Sequence, residues 1–320
     1  MSGLPLAGFV APTERVEVAE LEELGAASLW VGGHVASPNP TPEAIVWLAR
    51  LVEQTSRAMI GTAALLLPLY PPALVAKQLA DLDRASGGRL AVGVGVGGEY
   101  ASDFEACEVP IAERGSRANE AIALLREFWT AEPVTHSGRH HQYYGVRVHP
   151  APAHRGGPPI LVTGRKAPAM RRAATLGDGW MPYLYSPERY ASSVATIRAE
   201  ADRAERDLAG FGWYAYVFVG LDDDPRRARS QTAEFLGGRY RQDFDAMLDR
   251  VACAGDAEQV FDRLAAFVDA GVEHFVLAPC GPARQECARR LLAEILPKLQ
   301  ERRRAAAPRG AKDEPNDEGR

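Results

Sequence analysis

Apolar and polar positions along this chain follow two alternating rhythms. Short, nearly continuous apolar runs lie at 6–11, 28–35, 58–67, 90–96, 159–163, 179–183, 213–221 and 274–277. Their length and continuity predict strands covered on both faces, as in a parallel sheet. Between them, apolar residues recur at helical spacing over 14–24, 41–55, 72–85, 112–129, 168–176, 187–207, 256–270 and 285–303. The stretch 225–253 reads as a long, broken helix. Val18, Leu21 and Leu24 mark the first helical face, and Gly25 stops it. Thr41, Pro42 and Glu43 open the second helix as N-cap, first-turn proline and an acid near the positive end of the dipole. Gly87 and Gly88 stop the third. The segment 133–157, rich in Pro, His, Gly and Tyr, breaks the rhythm before the fifth strand and reads as an insertion with one hairpin. Residues 305–320 are polar and charged with no apolar face, which predicts a disordered tail.

Eight strands alternating with helices, without a break in composition, predict one (β/α)8 TIM barrel over 1–304 rather than an open doubly wound sheet. A chain of 320 residues is long enough for such a core. Hydrophobic residues at 46% and charged residues at 25% are ordinary for a globular protein. A net charge of -5 supplies no electrostatic case for nucleic acid or an anionic membrane as partner. Cys107, Cys253, Cys280 and Cys287 are scattered, and no His/Cys cluster has metal-ligand spacing, so no metal is expected. Reduced thiols fit a cytoplasmic protein. Cys280, near a strand end, reads either as a reactive thiol or as a small buried hydrophobe. No signal peptide is evident, and the apolar run 63–69 is too short to cross a bilayer.

In a barrel the strand ends converge on one mouth, so four clusters draw attention: 30–34 (WVGGH), 61–65 (GTAAL), 93–100 (GVGVGGEY) and 162–166 (VTGRK). The third matches the GxGxxG pattern, but its first glycines fall inside the strand. A dinucleotide turn would place them after it. Strand glycines instead let a flat ligand or a neighbouring backbone come close. His34 sits where the second strand ends and could move a proton; the alternative is a structural histidine. Trp30 reads as core. Glu99 and Tyr100 lie just past strand four, at the mouth or in solvated loop. Gly164, Arg165 and Lys166 precede a helix whose free N–H groups and dipole favour an anion, which makes them the phosphate candidate. His140 and His141, with Tyr143 and Tyr144, are a poor metal site because adjacent strand residues face opposite ways.

Three longer stretches carry a family resemblance: 86–100 (SGGRLAVGVGVGGEY), 104–117 (FEACEVPIAERGSR) and 173–180 (AATLGDGW). With them the chain, over about residues 4–297, resembles the luciferase-like monooxygenases, a superfamily of flavin- and coenzyme F420-dependent barrel enzymes. The resemblance implies a cofactor ring across the barrel mouth. It implies a bulge after strand three, often with a non-prolyl cis peptide, at Ala63, Ala64 and Leu65. It places His34 beside the ring as proton donor or acceptor, and Gly97, Gly98, Glu99 and Tyr100 along the cofactor side chain. Gly164, Arg165 and Lys166 match the phosphate site.

Two departures stand out. Gly33 occupies the position before the histidine where many relatives carry an acid, which argues against a carboxylate tuning His34. Lys166 stands near a small hydroxyl residue's usual place and suits a phosphate or polyanionic tail. Lys166 and the Ala/Arg-rich composition favour coenzyme F420 and hydride transfer. The alternatives are FMN with insertion of one oxygen atom from dioxygen, or a flavin binder without turnover. The expected substrate is a small organic molecule in a pocket built largely by 133–157 and 237–247. The resemblance also implies pairing into homodimers.

Overall fold

The computed structural model describes residues 6–306, so the tail expected at 305–320 lies almost wholly outside the described residues. Eight parallel strands form the barrel: β1 Leu6–Val10, β2 Ser28–Val31, β3 Met59–Thr62, β4 Leu90–Gly95, β5 Ile160–Thr163, β6 Gly179–Met181, β7 Gly212–Leu221 and β8 His274–Pro279. Each pairs with the next in sequence, and β8 returns to β1. The seam between β6 and β7 is short, with Gly179 beside Gly212 and Trp180 beside Trp213, followed by a bridge from Tyr183 to Tyr216. The sheet is closed, as the alternating pattern predicts.

Two cores result. A large one packs the outer faces of the strands against the helices, and it includes Phe9, Leu29, Ile60, Val92 and Phe275. A smaller one fills the barrel with Trp30, Ala91, Leu161, Met181, Tyr214 and Val276, one from each of six of the eight strands. Its polar members satisfy one another. The indole N–H of Trp30 donates to Ser28 Oγ at 2.6 Å, and Ser28 Oγ lies 2.7 Å from His274 Nε2. Burial pushes the His274 pKa down to about 3, so this histidine is a neutral core group.

The glycine-rich strand β4 has a packing cause. A Cβ on Gly93 would lie 1.9 Å from the Thr62 carbonyl oxygen, so only glycine lets β3 and β4 approach there. The expected strand 58–67 is in fact interrupted. It breaks after Thr62 at a cis peptide between Ala63 and Ala64, resumes as Leu65–Leu66 and ends in the 3-10 turn Leu67–Leu69.

Other local expectations shift for identifiable reasons. The second helix is Ala44–Gln54, and its cap is Glu43, whose carboxylate accepts the Val46 N–H; Thr41 bonds the Asn39 carbonyl instead. A six-residue helix, Ala101–Ala106, fills the stretch read as loop before Arg114–Phe128. The stretch 225–253 divides into Pro225–Tyr240, Asp245–Met247 and Leu248–Val251, then a strand, Ala252–Gly255, that pairs with the end of β7. The insertion does hold one antiparallel hairpin, Val134–Ser137 with Gln142–Val146. It joins a helix to the start of β5, so it enters at the end of the barrel opposite the mouth.

All four cysteines are free thiols. Burial pushes Cys253 and Cys287 up to about 12 and Cys280 higher still, which assigns Cys280 to the buried, unreactive alternative. Among the described residues, no helix is long and apolar enough to cross a membrane, and no cluster could hold a metal ion.

Two outcomes test this architecture. Of the four thiols only Cys107 is partly exposed, so a mild thiol reagent should titrate Cys107 in the native protein and the other three only after denaturation. The second concerns Glu22, whose carboxylate accepts the N–H groups of Ser56, Arg57 and Ala58 at 2.7–2.9 Å and pins the turn that starts β3. Burial alone would raise its pKa, but the bonds from Ala58, Arg57 and Ser56 outweigh this and hold it near 2, against an ordinary 4.5. A depressed acid stabilises above its ordinary pKa, and that contribution fades as pH falls from about 4.5 toward 2. Glu22→Ala should cost about 1–3 kcal/mol at pH 7 and little at pH 2 in urea unfolding.

Candidate active site

The loops after β2, β3, β4, β5, β6 and β7 surround an inner cavity of about 190 Å³. Its floor is the top of the barrel core, where Met181, Ala63 and Tyr216 face upward. Ala63 and Ala64, joined by the cis bond, form part of the wall with Leu66 and Gly95. Leu65 does not line it: this residue is fully buried and pairs with Val94. The alternation of a short strand sends one leucine inward and the next to the cavity.

His34 lines the cavity, and its surroundings correct one expectation. Gly33 supplies no carboxylate, but Asp103 does, from the short helix after β4. Its Oδ2 accepts from His34 Nδ1 at 2.8 Å, while Oδ1 accepts the N–H groups of Val35 and Ala36, each at 2.8 Å. Asp103 has no exposed surface. Because a carboxylate only accepts, Nδ1 carries the proton, and Nε2 is the ring nitrogen without a partner among the described residues. Tyr100 stacks its edge against His34 at 5.0 Å between centroids, and its hydroxyl donates to the Arg239 carbonyl.

The inner cavity opens into an outer groove of about 960 Å³. The two share Val96, Gly97, Glu99, Thr163, Gly164, Tyr183 and Tyr240, so one elongated ligand could lie across both. Gly98, Arg165 and Lys166 line only the groove. Gly164 has φ +123°, and a Cβ there would lie 2.9 Å from that of Ala169. This keeps the backbone open at the start of the helix Ala167–Leu176, whose cap residue, Lys166, makes no side-chain capping bond. Pro168 has no N–H and the Ala169 N–H donates to the Lys166 carbonyl at 2.8 Å, so what this end offers an anion is mainly the positive end of the helix dipole.

Arg114, Arg172, Arg189 and Arg250 line the same groove. With Arg165 and Lys166 they make six cations, and Glu99 is the single acid among the lining residues. Arg172 is 7% exposed; it donates to Asn119 and to the Gly115 carbonyl and has no carboxylate partner among the described residues. Arg165 lies over the Tyr183 ring at 4.7 Å, and Arg189 over Tyr185 at 4.4 Å. Arg114, Arg172, Arg189 and Arg250 carry no signal in the sequence, since each stands beside another charged residue (Glu113, Arg171, Glu188 and Asp249) as solvated arginines commonly do.

Two further expectations are corrected. The insertion 133–157 contributes nothing to either cavity. Three of its histidines serve Glu120, which accepts the N–H groups of His140 and His141 and lies 3.1 Å from His136 Nε2. The roof comes instead from Ser37, Asn39 and Thr41 and from the segment 239–251. The region 237–247 was thus foreseen as pocket wall, and the insertion is not one because it lies at the other end of the barrel.

The site suits a flat ring ending in an anionic tail. It has a narrow inner cavity walled by alanine, glycine and aromatic residues, continuous with a basic groove that ends at a helix start.

Comparison with known proteins agrees with this geometry. The chain is 25% identical to the F420-dependent glucose-6-phosphate dehydrogenase of Gordonia bronchialis, over 90% of this chain and 94% of that protein. It is 27% identical to F420-dependent glucose-6-phosphate dehydrogenase 1 of Rhodococcus jostii, with the same coverage. Its fold is similar to that of an F420-dependent secondary alcohol dehydrogenase solved with an F420-acetone adduct: TM-score 0.81, 21% identity, 92% of this chain and 99% of that one. It is also similar to the FMN-bound oxygenating constituent of 3,6-diketocamphane monooxygenase from Pseudomonas putida: TM-score 0.74, 18% identity, 92% and 98%. The model of the luciferase-like monooxygenase family matches residues 7–274, most of the chain, and the protein belongs to that family.

Proposed function

We propose that this protein is a coenzyme F420-dependent oxidoreductase acting on a small organic substrate. The observation that carries the reading is the basic groove joined to the inner cavity. Six cations face one acid there, although the whole chain carries a net charge of -5. FMN ends in a single phosphate monoester, whereas coenzyme F420 continues past its phosphate into a chain of glutamate carboxylates. The longer polyanion makes fuller use of these cations. The names of the relatives in Gordonia and Rhodococcus point the same way.

The residues present fit such a group. Gly164, Arg165, Lys166 and the start of the helix Ala167–Leu176 would hold the phosphate, with Arg114, Arg172, Arg189 and Arg250 along the tail. Ala63, Ala64 and Gly95 leave a wall of small groups against which a flat ring can rest. Gly97, Gly98, Glu99 and Tyr100 would border the chain between ring and phosphate. When bound, the coenzyme exchanges hydride with the substrate carbon.

The protein's own part is proton handling and orientation. His34 gives or takes the substrate's proton at Nε2, the nitrogen that Asp103 leaves free by holding Nδ1. Asp103 is a positioning residue: it fixes the tautomer and the direction of the ring. Reduced-FMN-dependent oxygenation is the second reading, favoured by the FMN-bound monooxygenase of the same fold.

Anaerobic titration with both cofactors, followed by oxygen-uptake measurement, separates the two. Tight binding of coenzyme F420 without oxygen uptake supports hydride transfer; binding of FMN alone with oxygen uptake refutes it. Lys166→Ala should raise the coenzyme dissociation constant about tenfold, or about 1.4 kcal/mol, with less loss of turnover at saturation. His34→Ala should lower kcat about 10²-fold or more while coenzyme affinity changes little. Asp103→Asn should lower kcat in the same direction and alter the kcat–pH profile, whereas a purely structural role would leave that profile unmoved.

A further inference from the structure

Among the described residues Arg239 is the one lysine or arginine lining the inner cavity, and its backbone is held there. It lies on the last turn of the helix Pro225–Tyr240, and its carbonyl accepts from Asn39 Nδ2 and from the Tyr100 hydroxyl, each at 3.3 Å. Those bonds tie the loops after β2 and β4 to the arginine backbone. Around the guanidinium stand the phenols of Tyr216 and Tyr240. Burial pushes Tyr216 up to about 12 and Tyr240 further, so both are neutral hydroxyls at ordinary pH.

Among the described residues no carboxylate forms a salt bridge with Arg239. Glu99, exposed on the rim, is the acid that acts on it, from beyond ion-pair distance. Burial works against the charge of Arg239, but its Tyr240 hydrogen bond, the Tyr216 phenol and Glu99 more than offset it, so the guanidinium stays charged although no carboxylate pairs with it. The coenzyme's own anions have six other cations in the groove, and Arg239 is not among the residues lining that groove. Its charge is therefore free for whatever else enters the inner cavity, where His34 also faces.

We propose that Arg239 receives a negatively charged group of the substrate, so that this enzyme acts on small organic oxyanions, a carboxylate or a phosphate monoester, in preference to neutral molecules. The inference rests on the functional reading above. The planar fork of Arg239 can meet two oxygens of such a group at once, and the hydroxyls of Tyr216 and Tyr240 can donate to the same oxygens. The substrate would then be held at its charged end by the helix after β7 and offered at its reacting end to the side of the cavity where His34 stands.

The test uses the full chain, with and without coenzyme F420, titrated calorimetrically with matched probes: benzoate and benzamide, hexanoate and hexanamide, glucose 6-phosphate and glucose. At least one anion should bind ten times more tightly than its neutral partner. Arg239→Met should abolish that difference and Arg239→Lys should keep part of it, with coenzyme affinity unchanged within twofold in both variants. The carboxylate and phosphate pairs report which oxyanion is preferred. The proposal is overturned if no anion exceeds its neutral partner, if the preference survives in Arg239→Met, or if that variant loses coenzyme affinity tenfold. Should Arg239→Met not fold, Arg239→Lys decides: a threefold or greater drop in the preference supports the assignment, and an unchanged preference rejects it. Failure of the wild type to bind coenzyme F420 would refute the functional reading, while the coenzyme-free titrations would still decide the role of Arg239.

Discussion

The buried carboxylate of Asp103 joins fold and chemistry in one contact. Three N–H donors converge on it, from the ring of His34 and the backbone of Val35 and Ala36. A carboxylate without exposed surface is tolerable only when its oxygens are fully engaged, and these donors engage both. The loop after β2 is thereby locked to the helix that follows β4, and His34 has one tautomer and one direction. Tyr100 packs against His34 and grips the Arg239 carbonyl, so the same loop also sets the roof of the cavity. Loss of the carboxylate would loosen three segments of the mouth together, not one side chain.

Electrostatics divides the mouth into two compartments. The outer groove concentrates cations on helices and loops that are far apart in the chain, beside the positive end of a helix dipole. Among the described residues the inner cavity carries one arginine, with the Glu99 carboxylate on its rim and phenols that burial keeps neutral. A negatively charged molecule as a whole therefore presents a strongly positive face in one place. Parallel strands make this arrangement natural, because their C-terminal ends and the helix starts that follow them all open on the same side.

Much of the barrel was legible in the chain itself. The continuous apolar runs of the eight strands and the helical spacing between them are local patterns, and most elements lie close to the expected bounds, although the second and third strands end early, at Val31 and Thr62. The strand Ala252–Gly255 and the short helix Ala101–Ala106 were not. The first is too short and too rich in alanine to stand out from its flanking helices. The second follows directly on glycines whose positive φ at Gly97 and Gly98 reads as loop. The turn around Ala63 and Ala64 was expected from family resemblance and not from periodicity, since nothing in a run of apolar residues marks where a strand breaks.

The site was legible only in part. The clusters around His34, Gly97–Tyr100 and Gly164–Lys166 announce themselves because each ends a strand, and strand ends meet at the mouth of a closed barrel. Asp103 lies 69 residues from His34, and Arg114, Arg172, Arg239 and Arg250 stand in charged stretches of helices and loops where solvated arginines are common. Periodicity is a property of neighbours in sequence, so the order and type of elements follow from it. Which carboxylate meets the histidine, and which cations are left without anions, depends on groups that only barrel closure brings together. That closure also puts the insertion before β5 at the far end of the barrel, away from the pocket it was expected to build.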